Sequence, residues 1–190
     1  MAGCLFLALV ALQACTNTSP TGSKDFLLTS TGPTYTPTPC SGVLGTNTIG
    51  PTPVAGSTFV WFNPYVPAVN KDIVNLSMYS SSAGSVTWEM GVYNSNASGT
   101  VPATLLGQTV PQTIGPSTGW NTASLSPAVN LTGGVTYWLA LHSTSSNYAA
   151  GGVTYAYQTV PATYGFLPAV YAGPAPVAPY TFSMYGTTCP

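Results

Sequence analysis

The stretch Asp72–Tyr93, DIVNLSMYSSSAGSVTWEMGVY, decides the fold class. Its two halves alternate apolar and polar residues with a period of two, the period of a strand. Asp72, Val74, Leu76 and Met78 share one phase; Val86, Trp88, Met90 and Val92 share another. Serine, alanine and glycine between them supply a turn. The pattern predicts a β-hairpin whose two apolar sets face one core, with Asn75, Ser77 and Glu89 outward. Asp72 and Glu89 then fall on opposite faces of the sheet.

The same alternation runs along the chain after Cys40. Runs of Val, Thr, Tyr and Trp alternate with Gly, Pro, Asn and Ser clusters, and no ten-residue helical period occurs. Eight strands are predicted: 57–62, 72–79, 85–93, 105–109, 120–125, 136–142, 153–158 and 180–185. Short strands with proline-bearing connections suit a two-sheet antiparallel β-sandwich of jelly-roll type over residues 40–190. A chain of 190 residues holds one such domain and an N-terminal extension, and is too short for two domains of typical size.

Charge is nearly absent. Only 3% of residues are charged, namely Lys24, Lys71, Asp25, Asp72 and Glu89, against about a quarter in ordinary domains. Hydroxyls and amides take over as the polar surface. Nucleic acid is excluded as a partner, because displacing its counterions takes several Lys or Arg. An anionic membrane surface is excluded on the same ground, leaving a membrane link only through an N-terminal anchor. Low charge also removes the repulsion between surfaces, which favours association with copies of itself or a glycan coat that prevents it.

Residues 1–15, MAGCLFLALVALQAC, have the length of an export signal's apolar region and are too short to span a bilayer. Leu12–Cys15 resembles a bacterial lipoprotein cleavage box, which makes Cys15 the candidate for lipidation. No Lys or Arg precedes the apolar run, a departure from that pattern. A retained segment would instead serve as a donor strand to a neighbouring sheet edge. Residues 16–39 are rich in Ser, Thr and Pro and read as an extended tether. Cys40 and Cys189 flank the domain, and a disulfide between them ties its two ends together in an oxidising compartment.

Several motifs in order carry a resemblance over residues 46–187. They are WEMGVYNSNASGTVPATLLGQT, TGWNTASLSPAVNLTGGVTYWLAL, YGFLPAVY and YTFSMYGT. Together they resemble a jelly-roll domain common in secreted bacterial surface proteins. The resemblance implies a sandwich of eight or nine strands, an accessory domain without known catalysis, and no particular ligand.

Candidate chemistry is sparse. His142 is the only base, and no G-x-S-x-G elbow accompanies it, so a Ser–His–acid triad is not expected. Glycoside hydrolysis needs two carboxyl groups across one cleft, and the predicted faces separate Asp72 from Glu89. One histidine and two disulfide-forming cysteines leave no zinc set, and two acids make calcium improbable. No catalytic residue, metal or cofactor is expected. Aromatic residues are the serious alternative: twelve Tyr and four Trp can build a stacking surface for sugars. In VTYWLALH, Trp138 and His142 share the outward phase and would form such a platform, unless the tyrosine-rich segment 148–171 covers them. Trp61, Trp88 and Trp120 are expected in the core. Asn17, Asn75, Asn96 and Asn130 begin N-x-[ST] triplets, candidates for glycosylation.

Two functions follow as expectations. The first is a non-enzymatic extracellular or cell-surface protein, a fibre or coat subunit that associates with itself. The second is a carbohydrate-binding or adhesin module on a surface lipoprotein.

Overall fold

The computed structural model describes residues 39–190 apart from 55–57, 82–84, 115–117, 145–146, 151–154, 161–163, 166, 175 and 177–179. The export segment, the tether, Cys15 and Asn17 therefore lie outside the described residues. Alternating sequence becomes strand throughout: β1 (Gly42–Gly45), β2 (Thr52–Val54), β3 (Phe59–Tyr65), β4 (Lys71–Ser80), β5 (Val86–Ser95), β6 (Pro102–Gln108), β7 (Gln112–Ile114), β8 (Gly119–Leu131), β9 (Tyr137–Ser143), β10 (Asn147–Ala150), β11 (Ala156–Thr159), β12 (Thr181–Phe182) and β13 (Met184–Cys189). The short strands β1, β2, β7 and β10 were not predicted, because three or four residues are too few to display a period.

One sheet orders β1-β13-β4, with β8 on the other side of β4 and the small strands β10, β2 and β12 beyond its end. The second orders β11-β3-β9-β5-β6, with β7 also on β5. Counting β1, β3, β4, β5, β6, β8, β9 and β13 as first to eighth, the sheets read first–eighth–third–sixth and second–seventh–fourth–fifth. Those are the nested Greek keys of a jelly roll, so the predicted fold class is the observed one.

The predicted hairpin is not a hairpin. β4 pairs with β13 and β8, whereas β5 pairs with β9, β6 and β7, so the two strands lie in opposite sheets. The apolar phases were informative but ambiguous: two strands face one core either side by side or across it. Here they face across it, with Leu76 and Met78 against the layer holding Val86, Trp88, Met90 and Val92. A β-bulge also breaks the alternation of β4, because consecutive Thr187 and Thr188 pair with Asn75 and Ile73, leaving Val74 over. Ile73 is therefore inward and fully buried, and Val74 is not in the core. Asp72 and Glu89 remain apart, now because they sit on the outer surfaces of different sheets.

The core between the sheets is built from Leu44, Ile73, Leu76, Met78, Trp88, Met90, Leu139, Leu141, Phe182 and Met184 among others. Buried Asn63 clamps it: its amide donates to the Tyr180 carbonyl (2.8 Å) and accepts from the Phe182 N–H (2.8 Å). Both halves of a buried amide are thus satisfied across the two sheets. Cys40 and Cys189 form a disulfide, with their Cα atoms 4.3 Å apart, at the start of β1 and the end of β13. Gly45 closes β1 with φ of +124° and its backbone against Tyr185, a place where any side chain would collide.

Candidate functional site

Strand alternation places Thr87, Glu89, Gly91 and Tyr93 of β5, and Trp138, Ala140 and His142 of β9, on the outer face of the second sheet. β5 and β9 are neighbours, and Glu89 stands directly opposite His142. This face is not open to water. Residues 164–165 and 167–171 return over it as a strap, held by main-chain bonds from Leu105 N–H to the Ala169 carbonyl (2.9 Å) and from Tyr171 N–H to the Ala103 carbonyl (2.8 Å). Tyr93 Oη donates to the Pro168 carbonyl (2.7 Å), and the Gln108 amide bonds Gly165 and Leu167. Leu167 lies over Gly91, where an added Cβ would come within 2.5 Å of its methyl group. Beneath the strap a second apolar cluster forms from Val60, Phe62, Tyr93, Trp138, Ala140, Ala156 and Leu167.

The chain's only histidine and only glutamate meet here. His142 Nδ1 lies 3.1 Å from Glu89 Oε1, with the two residues 1% and 0% exposed. Facing a carboxylate, Nδ1 carries the proton and donates it to the bond. The other carboxylate oxygen accepts the Gly165 N–H at 2.9 Å, so the pair reaches from β9 through β5 into the strap. Tyr164 stacks on the imidazole, with ring centres 4.2 Å apart and planes 17° from parallel. His142 Nε2 and Tyr164 Oη are buried and have no hydrogen-bond partner among the described residues. The acid and base are thus oriented as in a catalytic triad, yet among the described residues no hydroxyl nucleophile bonds Nε2, and the strap covers the site. In this arrangement the pair anchors a loop.

Trp138 and His142 do face outward together, as their shared phase predicts, but neither presents a ring face to solvent. Trp138 is 1% exposed, and its indole N–H donates to Ser95 Oγ at 2.6 Å. Of the two alternatives for these residues, cover by the segment 148–171 is the one observed, and they form no open stacking platform. The strap covers them because an unpaired aromatic face and a buried carboxylate both demand covering. Glu89, predicted outward, is outward on its sheet and buried in the molecule. The pairing itself was open to sequence reading, since both residues occupy outward phases, but nothing in the sequence set β5 beside β9.

Burial has an electrostatic consequence. The Tyr164 hydroxyl is pushed up to about 12, first by desolvation and then by the charge of Glu89. Desolvation raises Tyr65 to about 12 as well, opposed by its bond to Thr46. Both ordinary values are 10.0. The unfolded chain loses these protons from about pH 10, and the folded chain keeps them to about 12. Their stabilising contribution is thus fully present below pH 10 and lost as pH rises from 10 to 12. Melting temperature is expected to fall across that window, with tyrosinate absorbance appearing as the chain unfolds; a flat profile would contradict the burial of these hydroxyls.

The outer face of the first sheet is different in kind. Trp120, expected in the core, is half-buried on this face because it shares the phase of exposed Thr122 and Ser124, while Ala123 and Leu125 of the other phase face the core. Its ring contacts Tyr79 edge-on (5.6 Å, 75°) and Tyr185 edge-on (5.0 Å, 65°). Tyr185 belongs to β13, on the far side of β4, so the indole reaches across β4 over Ser77. That explains why Ser77, on the outer face, is fully buried. Ser77 Oγ and Thr122 Oγ1 are 2.7 Å apart, and Asn75, Ser124 and Thr187 extend the polar row.

Of the glycosylation candidates, Asn75 is half-buried on this face and Asn130 is exposed, its amide donating to Asp72. Asn96 organises its own turn: Oδ1 accepts from Thr100 N–H (2.9 Å) and Val101 N–H (3.2 Å), and the amide donates to Ser98 (2.8 Å). Among the described residues no three His, Cys, Asp or Glu side chains gather where a metal ion would bind. Compared with known proteins, the chain matches no family model and no curated sequence.

Proposed function

We propose that this chain is a non-enzymatic extracellular structural protein, a subunit of a cell-surface fibre or coat whose domains associate with one another. The observation that carries this reading is the surface of the domain. Residues 39–190 contain three charged side chains: Glu89 is sealed beneath the strap, while Lys71 and Asp72 are adjacent and cancel. Surfaces without net field do not repel, which suits dense packing. The edges support the same conclusion. β1 and β8 flank the β13-β4 pair, and neither carries the lysine or inward charge that usually guards a sheet edge. β8 runs for 13 residues and pairs along one side only among the described strands. The chain's single acid–base pair is committed to holding a loop, which argues against catalysis. The disulfide fits an oxidising, exported location.

Sedimentation of the disulfide-intact chain over a wide concentration range tests the proposal. Reversible growth to large species is expected. Ala128→Lys places a charge at an exposed position of β8 and is expected to shift the midpoint of assembly at least about tenfold upward in concentration. A chain that stays monomeric at high concentration would remove the proposal's basis.

A further inference from the structure

We infer that the outer face of the first sheet, centred on Trp120 and Tyr185, is a binding site for a neutral carbohydrate chain. This goes beyond self-association and does not depend on it. The face is built by outward residues of four adjacent strands. Val43, Thr187, Asn75 and Ser124 form one row, and Gly45, Tyr185, Ser77 and Thr122 the next. Tyr79 and Trp120 pair directly in a third row. No charged side chain occurs in these rows. One end is aromatic, with the indole set at steep angles between two phenol rings. The rest offers hydroxyls and an amide, each able both to donate and to accept.

That division matches one ligand chemistry. A pyranose has an apolar face of C–H groups, which suits an indole, and a rim of hydroxyls, which suits Thr, Ser and Asn side chains. Within these rows an anionic ligand finds no cation and a cationic one no carboxylate; Asp72, on the same outer face, lies beyond the bulge three residues along β4 from Asn75 and accepts the Asn130 amide. A protein partner needs a fully buried apolar centre within roughly 800 Å² per side. Three half-buried rings beside rows of polar side chains do not supply it, and a dry partner would cover Ser124, Thr187 and Asn75, the side chains of the rows outside the Ser77–Thr122 bond. A sugar's own hydroxyls would satisfy them, directly or through water.

Trp138 and His142 were the sequence's nominees for such a platform, and their burial moves the aromatic surface to the opposite sheet. Trp120 is the centre because it touches both tyrosines. Thr122 and Ser124 are exposed along the same strand, leading away from the rings. The face is therefore elongated along β8 and suits several sugar units of a polymer better than a single monosaccharide.

The test is calorimetric titration of the disulfide-intact chain, made without glycosylation so that Asn75 is bare. The probes are hydroxyethyl cellulose, a mannan and a galactan, with polygalacturonate as the charged control. Binding to at least one neutral polymer is expected, unchanged between low and high salt because no ion pair contributes. Trp120→Ala and Tyr185→Ala are each expected to weaken it at least about tenfold. If Trp120→Ala lowers the melting temperature, Thr122→Lys at an exposed position of the same face replaces it, with the same expected loss. The inference is overturned if no neutral polymer binds, if binding survives these substitutions, or if salt abolishes it. It is also overturned if Trp120→Ala changes only the oligomeric state, because the face would then be occupied by a second copy of the chain.

Discussion

Removing the Cys40–Cys189 disulfide by a paired Cys40→Ser, Cys189→Ser substitution is expected to lower stability by roughly 5 kcal/mol and the melting temperature by about 10–20 °C. The bond closes a loop with a sequence separation of 149, nearly the whole domain. Its effect acts through the unfolded chain, which without the link explores far more conformations. The denaturant slope is therefore expected to rise as the midpoint falls, since a freer unfolded chain exposes more surface. The folded state should change little, because β1 still pairs with β13 through four consecutive residue pairs from Gly42 with Thr188 to Gly45 with Tyr185. Chemical denaturation of both forms at one pH checks this. A loss below about 1 kcal/mol would mean that the unfolded chain is already compact, or that native strain offsets the loop term.

The second large effect lies beneath the strap. Glu89→Ala is expected to cost about 3–5 kcal/mol, because it leaves the imidazole N–H and the Gly165 N–H buried without acceptors. His142→Ala should be comparable, since among the described residues the carboxylate would then keep only the Gly165 N–H. Replacing both together, as Glu89→Met with His142→Leu, is expected to be far milder than the sum of the single changes. A double-mutant cycle separates these cases, and additive costs would show that the two side chains do not act as a pair. Hydrogen exchange gives a local readout. In Glu89→Ala the strap amides, including Leu167 and Tyr171, are expected to lose protection before the β4–β13 ladder does.

How much could be read in advance depended on range. Two-residue alternation in Asp72–Tyr93 was enough for strands, and Leu76, Met78, Trp88, Met90 and Val92 are buried as it predicts. The disulfide was legible because Cys40 and Cys189 bracket the strand-forming region. Alternation is a local signal, however, and is silent about which strand lies beside which. It therefore could not distinguish a hairpin from two strands facing across a core, and it could not foresee the extra residue at Val74. The same limit governed the sites. Trp138 and His142 were placed on the correct face, yet whether a face is bare depends on a segment some 30 residues downstream. Trp120 was misplaced because its apolar character argued for the core, while its phase, shared with Thr122 and Ser124 and opposite to Ala123 and Leu125, turns it to the outer face.

The positions of the two half-cystines also decide how the domain bears load. Cys40 and Cys189 stand where the described chain enters and leaves the sandwich, so a pull applied between residues 39 and 190 runs through a covalent bond rather than through the sheets. Without the link, the same pull would peel β1 from β13 one pair at a time, the weakest direction in which antiparallel strands can be separated. With it, tension bypasses every hydrogen bond of the jelly roll. A module held in this way stays folded under drag that would unravel an unlinked sandwich of equal thermodynamic stability.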